Sequence, residues 1–392
     1  MAVTGLNDRV SWGLYISNLV FFIGISYGGT LMSAVLRLTN TDWRTPITRL
    51  AESITVGALF LGALFPILDL GRPDRMLNLI IYGRIQSAVL WDFLAIGTYF
   101  TGAIVYLYLT LVPDVAILKD INALGRVRLW LYRRLARHWE GTPQQVEVLE
   151  RGILIMAAVL IPVAISAHSV LAWLFGMTLR VGWHSTIFGP FFVVGAVFSG
   201  IAAIVIAMAV FRRMCGLEEY FTLRHFQRLA TLLFVMDIAL LYFTLSEYLT
   251  VAYGAESQDV LWLRALMQGP YALLFWTMII GGFILPAALL ILPPTRTIPG
   301  IVTASVLIVV AMWIERVLIV VPTMATPQLP FSWATYQPTW IEWSITAAAF
   351  AALALFLALF SKVFPIVSIW ETRERAKPEA PAEVPLEREV GA

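Results

Sequence analysis

The sequence predicts an all-α, polytopic membrane protein, and three observations carry that expectation. Of its 392 residues 59% are hydrophobic and only 13% are charged, against roughly 45–50% and about 25% in soluble domains. The apolar excess is gathered into repeated runs of about 20 residues or more, long enough to cross roughly 30 Å of hydrocarbon. Charged residues collect in the short links between those runs.

In order, nine spans are expected at about 11–36, 47–69, 88–112, 150–175, 187–211, 228–253, 267–292, 299–322 and 340–365. The first run starts near Val10 without a basic leader or a cleavage site, so it reads as a retained helix and not a signal peptide. The segment 113–149 is too charged to span. Within it, Val127, Leu129, Trp130, Leu131, Leu135 and Ala136 interleave with Arg126, Arg128, Arg133, Arg134 and Arg137. That pattern predicts an amphipathic helix on an anionic lipid surface, the competing reading being a solvated basic loop. The tail from about Glu371 is rich in Ala, Pro, Glu and Arg and is expected to be disordered or partner-bound.

Orientation follows from the basic residues. The side holding the N-terminus carries Arg9, Arg72, Arg75, Arg84, Arg180 and Arg264. The opposite side carries Arg37, Arg44, Arg49, the basic residues of 113–151, Arg212, Arg213, Arg224, Arg228, Arg296, Lys362 and the tail. The more basic side stays in the cytoplasm. The N-terminus is therefore expected outside the cell membrane and the C-terminus inside.

Composition excludes several functions. A net charge of +2 with no basic patch of nucleic-acid architecture argues against nucleic acid as a partner. The single cysteine, Cys215, excludes an intrachain disulfide and a self-contained iron–sulfur cluster. His138 and His225 lie in polar segments and His184 just before a span, which leaves only His168 at membrane depth. A bis-histidine haem needs two such ligands, so no haem is expected. Without haem or cluster the chain cannot pass electrons across the bilayer. A redox role would require a mobile carrier bound beside a partner's cofactor.

Ionisable groups are costly in hydrocarbon, so those at span edges are functional candidates by default. Glu52 to Asp92 is the richest stretch. Asp69 and Arg72 are three residues apart and would share a helix face, as an ion pair or as chemistry, although Gly71 and Pro73 favour a helix end there. Asp92 opens the next span between Trp91 and Phe93. It would either complement that helix's dipole or act chemically. His168, about 18 residues into the fourth span, reaches the same outer edge with Ser166 and Ser169 beside it. Asn18 starts from that edge too, and Tyr99 lies seven residues beyond Asp92 on the same face. Both could donate to a carbonyl or serve as interhelical contacts. Elsewhere Asp237, Glu247 and Glu315 are buried carboxylates suited to a proton path or to holding helices together, with Glu52 at the cytoplasmic end of the second span. Arg316 adjoins Glu315, and the two are expected to point apart and to need separate partners.

The segments WGLYISNLVFFIGISYGGTLMSAVLRL, WRTPITRLAESIT, LFPILDLGRP, LWDFLAIGTYFT and LVPDVAILKD, followed by ISAHSVLAWLFGMTLRVGWHSTIFGPFFVVGAVFSG and more weakly WIERVLIVVPT, resemble the polysulfide-reductase/NrfD family of quinone-binding membrane subunits. Within it the likeness is nearest to the quinol-oxidising subunit of alternative complex III, over roughly residues 10–325. The resemblance implies two four-helix bundles plus one extra C-terminal helix. Residues 1–175 would form the first bundle with the quinone site and the cytoplasmic segment 113–149. Residues 176–325 would form the second bundle, 326–370 the additional span, and 371–392 a disordered cytoplasmic tail. It also implies a quinone, menaquinone ahead of ubiquinone, as the ligand. An extracytoplasmic iron–sulfur and molybdopterin-type subunit and related membrane subunits would be the partners, with proton translocation a further expectation. Asp92 stands at the acidic position of the family's quinone site and Arg72 at its LGRP arginine. Asp69 and Tyr27 depart from the pattern, where those relatives carry histidine.

The reading that unites these residues is a quinol site built by Asp69, Asp92 and His168, helped by Asn18, Arg72 and Tyr99. A proton-coupled transporter using Asp237, Glu247 and Glu315, and an anchor subunit without turnover, are the competing readings.

Overall fold

In a computed structural model, residues 3–121, 125–327 and 333–375 are described, and all regular structure among them is helical. The helices are α1 (Leu14–Leu38), α2 (Thr45–Asp69), α3 (Asn78–Ile81), α4 (Ala88–Leu118), α5 (Arg126–Leu135), α6 (Pro143–Gly176), α7 (Phe188–Met214), α8 (Leu223–Gly254) and α9 (Ser257–Met267). Next come α10 (Ala272–Ile279) and α11 (Leu285–Ile291), joined by a π-helical turn at Ile280–Ile284. The chain continues with α12 (Ile298–Ala325), α13 (Trp340–Val363) and α14 (Ile369–Arg375). Nine of these units, with α10 and α11 counted as one, are long and apolar enough to cross a membrane among the described residues. Their outward faces are apolar, as at Phe60, Leu154, Ile155, Ile238, Leu355 and Leu359. Such faces suit lipid, where a helix satisfies its own backbone polar groups.

Local chemistry sets the ends. Pro46 and Pro143 stand in the first turns of α2 and α6, where a missing N–H costs nothing. Thr339 and Glu342 form a capping box at the start of α13. Gly71 adopts φ +65 just after α2, a conformation that glycine accepts without strain and that stops the helix. Two ends differ from expectation. The third span runs through Pro113 to Leu118, and the fourth begins at Pro143, so the non-spanning link is shorter than 113–149. Helices extend past the apolar run because their own hydrogen bonds continue wherever the chain is not broken.

The central element is α1. All its residues are buried except Leu31, Val35 and Leu38. It packs against α2, α6, α7, α12 and α13. Small residues allow the closest crossing: a Cβ on Gly28 would lie 2.5 Å from the Cα of Gly200 in α7. Asn18 ties α1 to two other helices. Its amide N–H donates to Thr346 Oγ1 of α13 (2.8 Å), and its carbonyl accepts from the Trp313 indole of α12 (2.8 Å).

Each end of α1 is also anchored. At its start, the Leu14 N–H donates to the Tyr336 hydroxyl (2.9 Å), which donates to Glu342 (2.7 Å); Glu342 also accepts from the Gly5 N–H (2.8 Å). At its far end, Arg37 and the neighbouring Arg44 each pair with Glu371 of α14 at 2.8 Å. Asp114, fully buried near the end of α4, pairs with Arg49 of α2 at 3.0 Å and accepts from the Trp370 N–H at 2.7 Å. Buried Tyr132 of α5 donates to the Val363 carbonyl at the end of α13. The basic segment is therefore helical, with Val127 and Trp130 exposed beside its arginines. The tail expected to be disordered from 371 is helical through Arg375, because Glu371 finds two guanidiniums; residues 376–392 lie outside the described residues.

Burial pushes the Glu371 carboxyl up, but Arg37 and Arg44 outweigh burial and hold it below its ordinary range. A depressed carboxylate stabilises above its unfolded pKa, about 4.3, and that contribution is lost as pH falls through the lower folded value. The α14 anchor is therefore expected to hold at neutral pH and to loosen below about pH 4.3. Amide exchange in α14 followed against pH should show this acid step, and the Glu371→Gln variant should lack it.

Candidate functional site

Three rings from three helices meet inside the bundle, with Asp92 close by. Tyr27 of α1 stacks on Tyr99 of α4, with ring centroids 4.5 Å apart and planes 21° from parallel. His168 of α6 meets the Tyr27 ring edge-on, also at 4.5 Å. Asp92 of α4 lies within electrostatic reach of Tyr27. Phe192 of α7 closes the cluster, 5.8 Å from the His168 ring. Helix geometry explains the convergence. Asp92 and Tyr99 are two turns apart on one face of α4, and His168 lies about two turns before the end of α6.

The polar atoms of this cluster have unfilled hydrogen-bonding capacity. Tyr27 Oη, Asp92 Oδ1 and both His168 ring nitrogens are buried without a hydrogen-bond partner among the described residues. The Phe192 main chain comes into range of His168 but out of hydrogen-bond geometry. Buried polar atoms are nearly always satisfied, so a group of orphans is a request for a ligand. Asp92 is the fifth residue of α4, beyond its first turn, and so does not cap that helix. Tyr99 differs from its neighbours. Its hydroxyl donates to the Ser26 carbonyl (3.0 Å) and lies 2.6 Å from Thr30 Oγ1, so its ring is held in place against Tyr27.

From Thr30 a series of polar groups continues toward the C-terminal end of α1. Thr30 donates to Thr55 at 3.3 Å. Farther along, Ser33 (2.8 Å) and Thr110 (2.6 Å) both donate to Glu52, whose carboxylate lies 3.9 Å from Arg49. Arg49 in turn pairs with Asp114.

The other nominated residues lie elsewhere. Asp69, at the end of α2, has Glu342 and Tyr15 as its charged and titratable neighbours, and its Oδ1 is buried without a hydrogen-bond partner. Arg72 does not pair with Asp69 as the spacing suggested. The break at Gly71 turns it outward, where it meets Asp74 at 2.9 Å with both side chains mostly exposed. Asn18 has both ends of its amide engaged between helices. Asp237 is buried in α8 with Oδ1 unpartnered, and Glu247 accepts from the Ser185 hydroxyl. Glu315 and Arg316 do not point apart as expected. Their side chains are long enough to curl together, with Arg316 Nη1 3.2 Å from Glu315 Oε2.

Sequence reasoning noted Tyr27 only as a departure from the family pattern and did not nominate it for the site, and it missed Arg49, Asp114 and Arg37 as paired ions. A tyrosine in an apolar run gives no signal. The ions did carry one, since each sits within or beside a run where charge is costly.

An all-helical multi-pass membrane protein with ionisable groups beside stacked rings inside its helix bundle is the class that fold and site define. The polysulphide reductase NrfD family matches residues 2–328, and this chain belongs to it. Three relatives are similar over nearly the whole chain. A Halobacterium salinarum protein, provisionally named as a membrane subunit of a dimethyl sulfoxide reductase, is 26% identical, the match covering 96% of this chain and 86% of that protein. One of the selenate reductase subunits of Mesobacillus selenatarsenatis is 24% identical, covering 97% and 92%. The Hdr-like menaquinol oxidoreductase integral membrane subunit of Archaeoglobus fulgidus is 21% identical, covering 94% and 88%.

Proposed function

We propose that this chain is the quinone-binding membrane subunit of a respiratory oxidoreductase, with its redox pocket at Tyr27, Asp92 and His168. One observation carries the reading: buried polar atoms without a hydrogen-bond partner occur together on Tyr27, on His168 in contact with its ring, and on Asp92 within electrostatic reach of it, beside the Tyr27–Tyr99 stack. A flat ring bearing two oxygens fits that donor set, with aromatic faces for the ring and polar atoms for its ends. The relatives' names support it, since one is a menaquinol oxidoreductase subunit and two belong to reductases. Menaquinone is the favoured ligand on the same ground.

A bound quinol would supply two electrons and two protons. His168 and Asp92 are the proton acceptors, placed as general bases with no internal partner to compete. Tyr27 orients the ring through its own face and hydroxyl. Tyr99 keeps that stack in place through Ser26 and Thr30. An iron–sulfur partner subunit would take up the electrons, and the distribution of basic residues favours its docking on the N-terminal side, outside the cell membrane. The thread from Thr30 to Glu52, and the carboxylates Asp237, Glu247 and Glu315, are the candidate routes for proton translocation.

The test is a titration of the purified complex with a fluorescent hydroxyquinoline N-oxide, which mimics a quinol. The expected result is saturable quenching that menadiol reverses. A His168→Ala complex should quench at least about tenfold more weakly, the loss that about 1.4 kcal/mol of binding energy represents. Equal quenching by both complexes would remove the pocket from this position.

A further inference from the structure

Arg316 has no function in the pocket described above, yet it is the most anomalous charge near it. It lies in the middle of α12 and is only 2% exposed. Neither of its terminal nitrogens makes a hydrogen bond among the described residues. Its guanidinium sits 4.9 Å from the centroid of the Phe192 ring, the ring that stands 5.8 Å from His168. Gly195 makes room for it: a Cβ there would fall 2.6 Å from Arg316 Nη2. A buried arginine with unfilled donors is costly, and its one ionic contact among the described residues is with Glu315.

Glu315 opens in another direction. It lines a small cavity with Glu247 and Tyr248 of α8. Glu247 also lines a larger cavity of about 360 Å³, shared with His184, Ser185, Glu256 and Asp259. The groups facing Glu315 are thus Arg316 on its own helix and Glu247 and Tyr248 across from it, with Phe188 and Phe191 of α7 adding no charge. The pair stands between two compartments, the arginine toward the redox pocket and the carboxyl toward the polar cavity.

We infer that Arg316 is a positioning residue that favours negative charge on a ligand oxygen in the redox pocket, and that Glu315 sets how much of that field the pocket feels. The inference rests on the quinone reading above. A fixed cation behind one aromatic ring acts across a low-dielectric path and needs no rearrangement when charge develops. A carboxylate 3.2 Å from the guanidinium offsets part of the field. When protons from the polar cavity neutralise Glu315, the offset is lifted and the pocket favours anions more strongly. Occupancy of one compartment by protons thereby changes affinity in the other without a conformational change.

The experiment uses the assembled complex and the same fluorescent hydroxyquinoline N-oxide, whose ionised form carries its charge on the oxygen. Affinity is measured across the pH range for wild type, Arg316→Met, Arg316→Lys and Glu315→Gln. Arg316→Met should weaken binding by about tenfold, the effect of one charge at this separation in a medium of intermediate dielectric. Arg316→Lys should restore most of the affinity. Glu315→Gln should tighten binding several-fold and flatten its pH dependence, which loss of a merely structural contact would not do. Should Arg316→Met fail to assemble, the Glu315→Gln arm decides. Wild-type affinity and pH profile in either neutralising variant overturns the inference while leaving the pocket intact. Failure of the wild-type complex to bind the probe overturns the pocket reading and this inference with it.

Discussion

Asp92→Asn is expected to lower quinol turnover by about 10²–10⁴-fold, the range that a well-placed general base supplies. The substitution keeps the shape of the side chain and removes only its ability to take a proton. It should not disturb assembly, because Asp92 Oδ1 has no internal hydrogen bond to lose. The comparison that isolates the effect is Asp69→Asn. Asp69 also lacks a hydrogen bond at Oδ1, but its neighbours are Tyr15 and Glu342 and not the Tyr27–His168 cluster. Its turnover should stay within a few-fold of wild type. Steady-state oxidation of menadiol by membranes containing each complex, normalised to the amount assembled, measures both. If Asp92→Asn turns over at the wild-type rate, or if Asp69→Asn is the crippled variant, the base lies elsewhere.

Arg49→Met is expected to cost about 3–5 kcal/mol, because it leaves the buried carboxylate of Asp114 without its cation. Arg49 and Asp114 are 1% and 0% exposed, and Glu52 shares the same guanidinium at 3.9 Å. Both side chains are almost fully buried, so water does not replace the lost partner. The chain should lose solubility at a markedly lower temperature in detergent, and adding Asp114→Asn should recover part of the loss. Arg72→Met offers the contrast. Its pair with Asp74 is mostly exposed, and the midpoint should barely move. Equal midpoints for Arg49→Met and wild type would show that Asp114 draws its stability from Trp370 and Ser368 instead.

These two predictions mark where the sequence could be read and where it could not. The spans were legible because an apolar run long enough to cross a bilayer has few other uses. Their ends were less so: hydrogen bonding carries α4 through Pro113 to Leu118, past the last apolar stretch. The short helix α9 and the π-helical turn at Ile280–Ile284 left no mark in the hydrophobic pattern. Asp92 and His168 stood out because an ionisable group at membrane depth is expensive wherever it occurs. Tyr27 did not, since its importance comes from what stacks on it. The Arg49–Asp114 pair joins residues far apart in sequence, and no local spacing reports such a partnership. Arg72 was misjudged for the opposite reason. Its spacing from Asp69 was right for a helix face, but the helix had already ended at Gly71.

Asn18 leaves the ribosome well before its partner Thr346, which lies 328 positions downstream. At about 5–20 residues per second, that interval is on the order of tens of seconds. Through it, the amide N–H of Asn18 waits in lipid without the acceptor it finally meets. A chaperone or insertase that shelters this face until α13 emerges would shorten the exposure, and a message slowed near its 3′ end would prolong it.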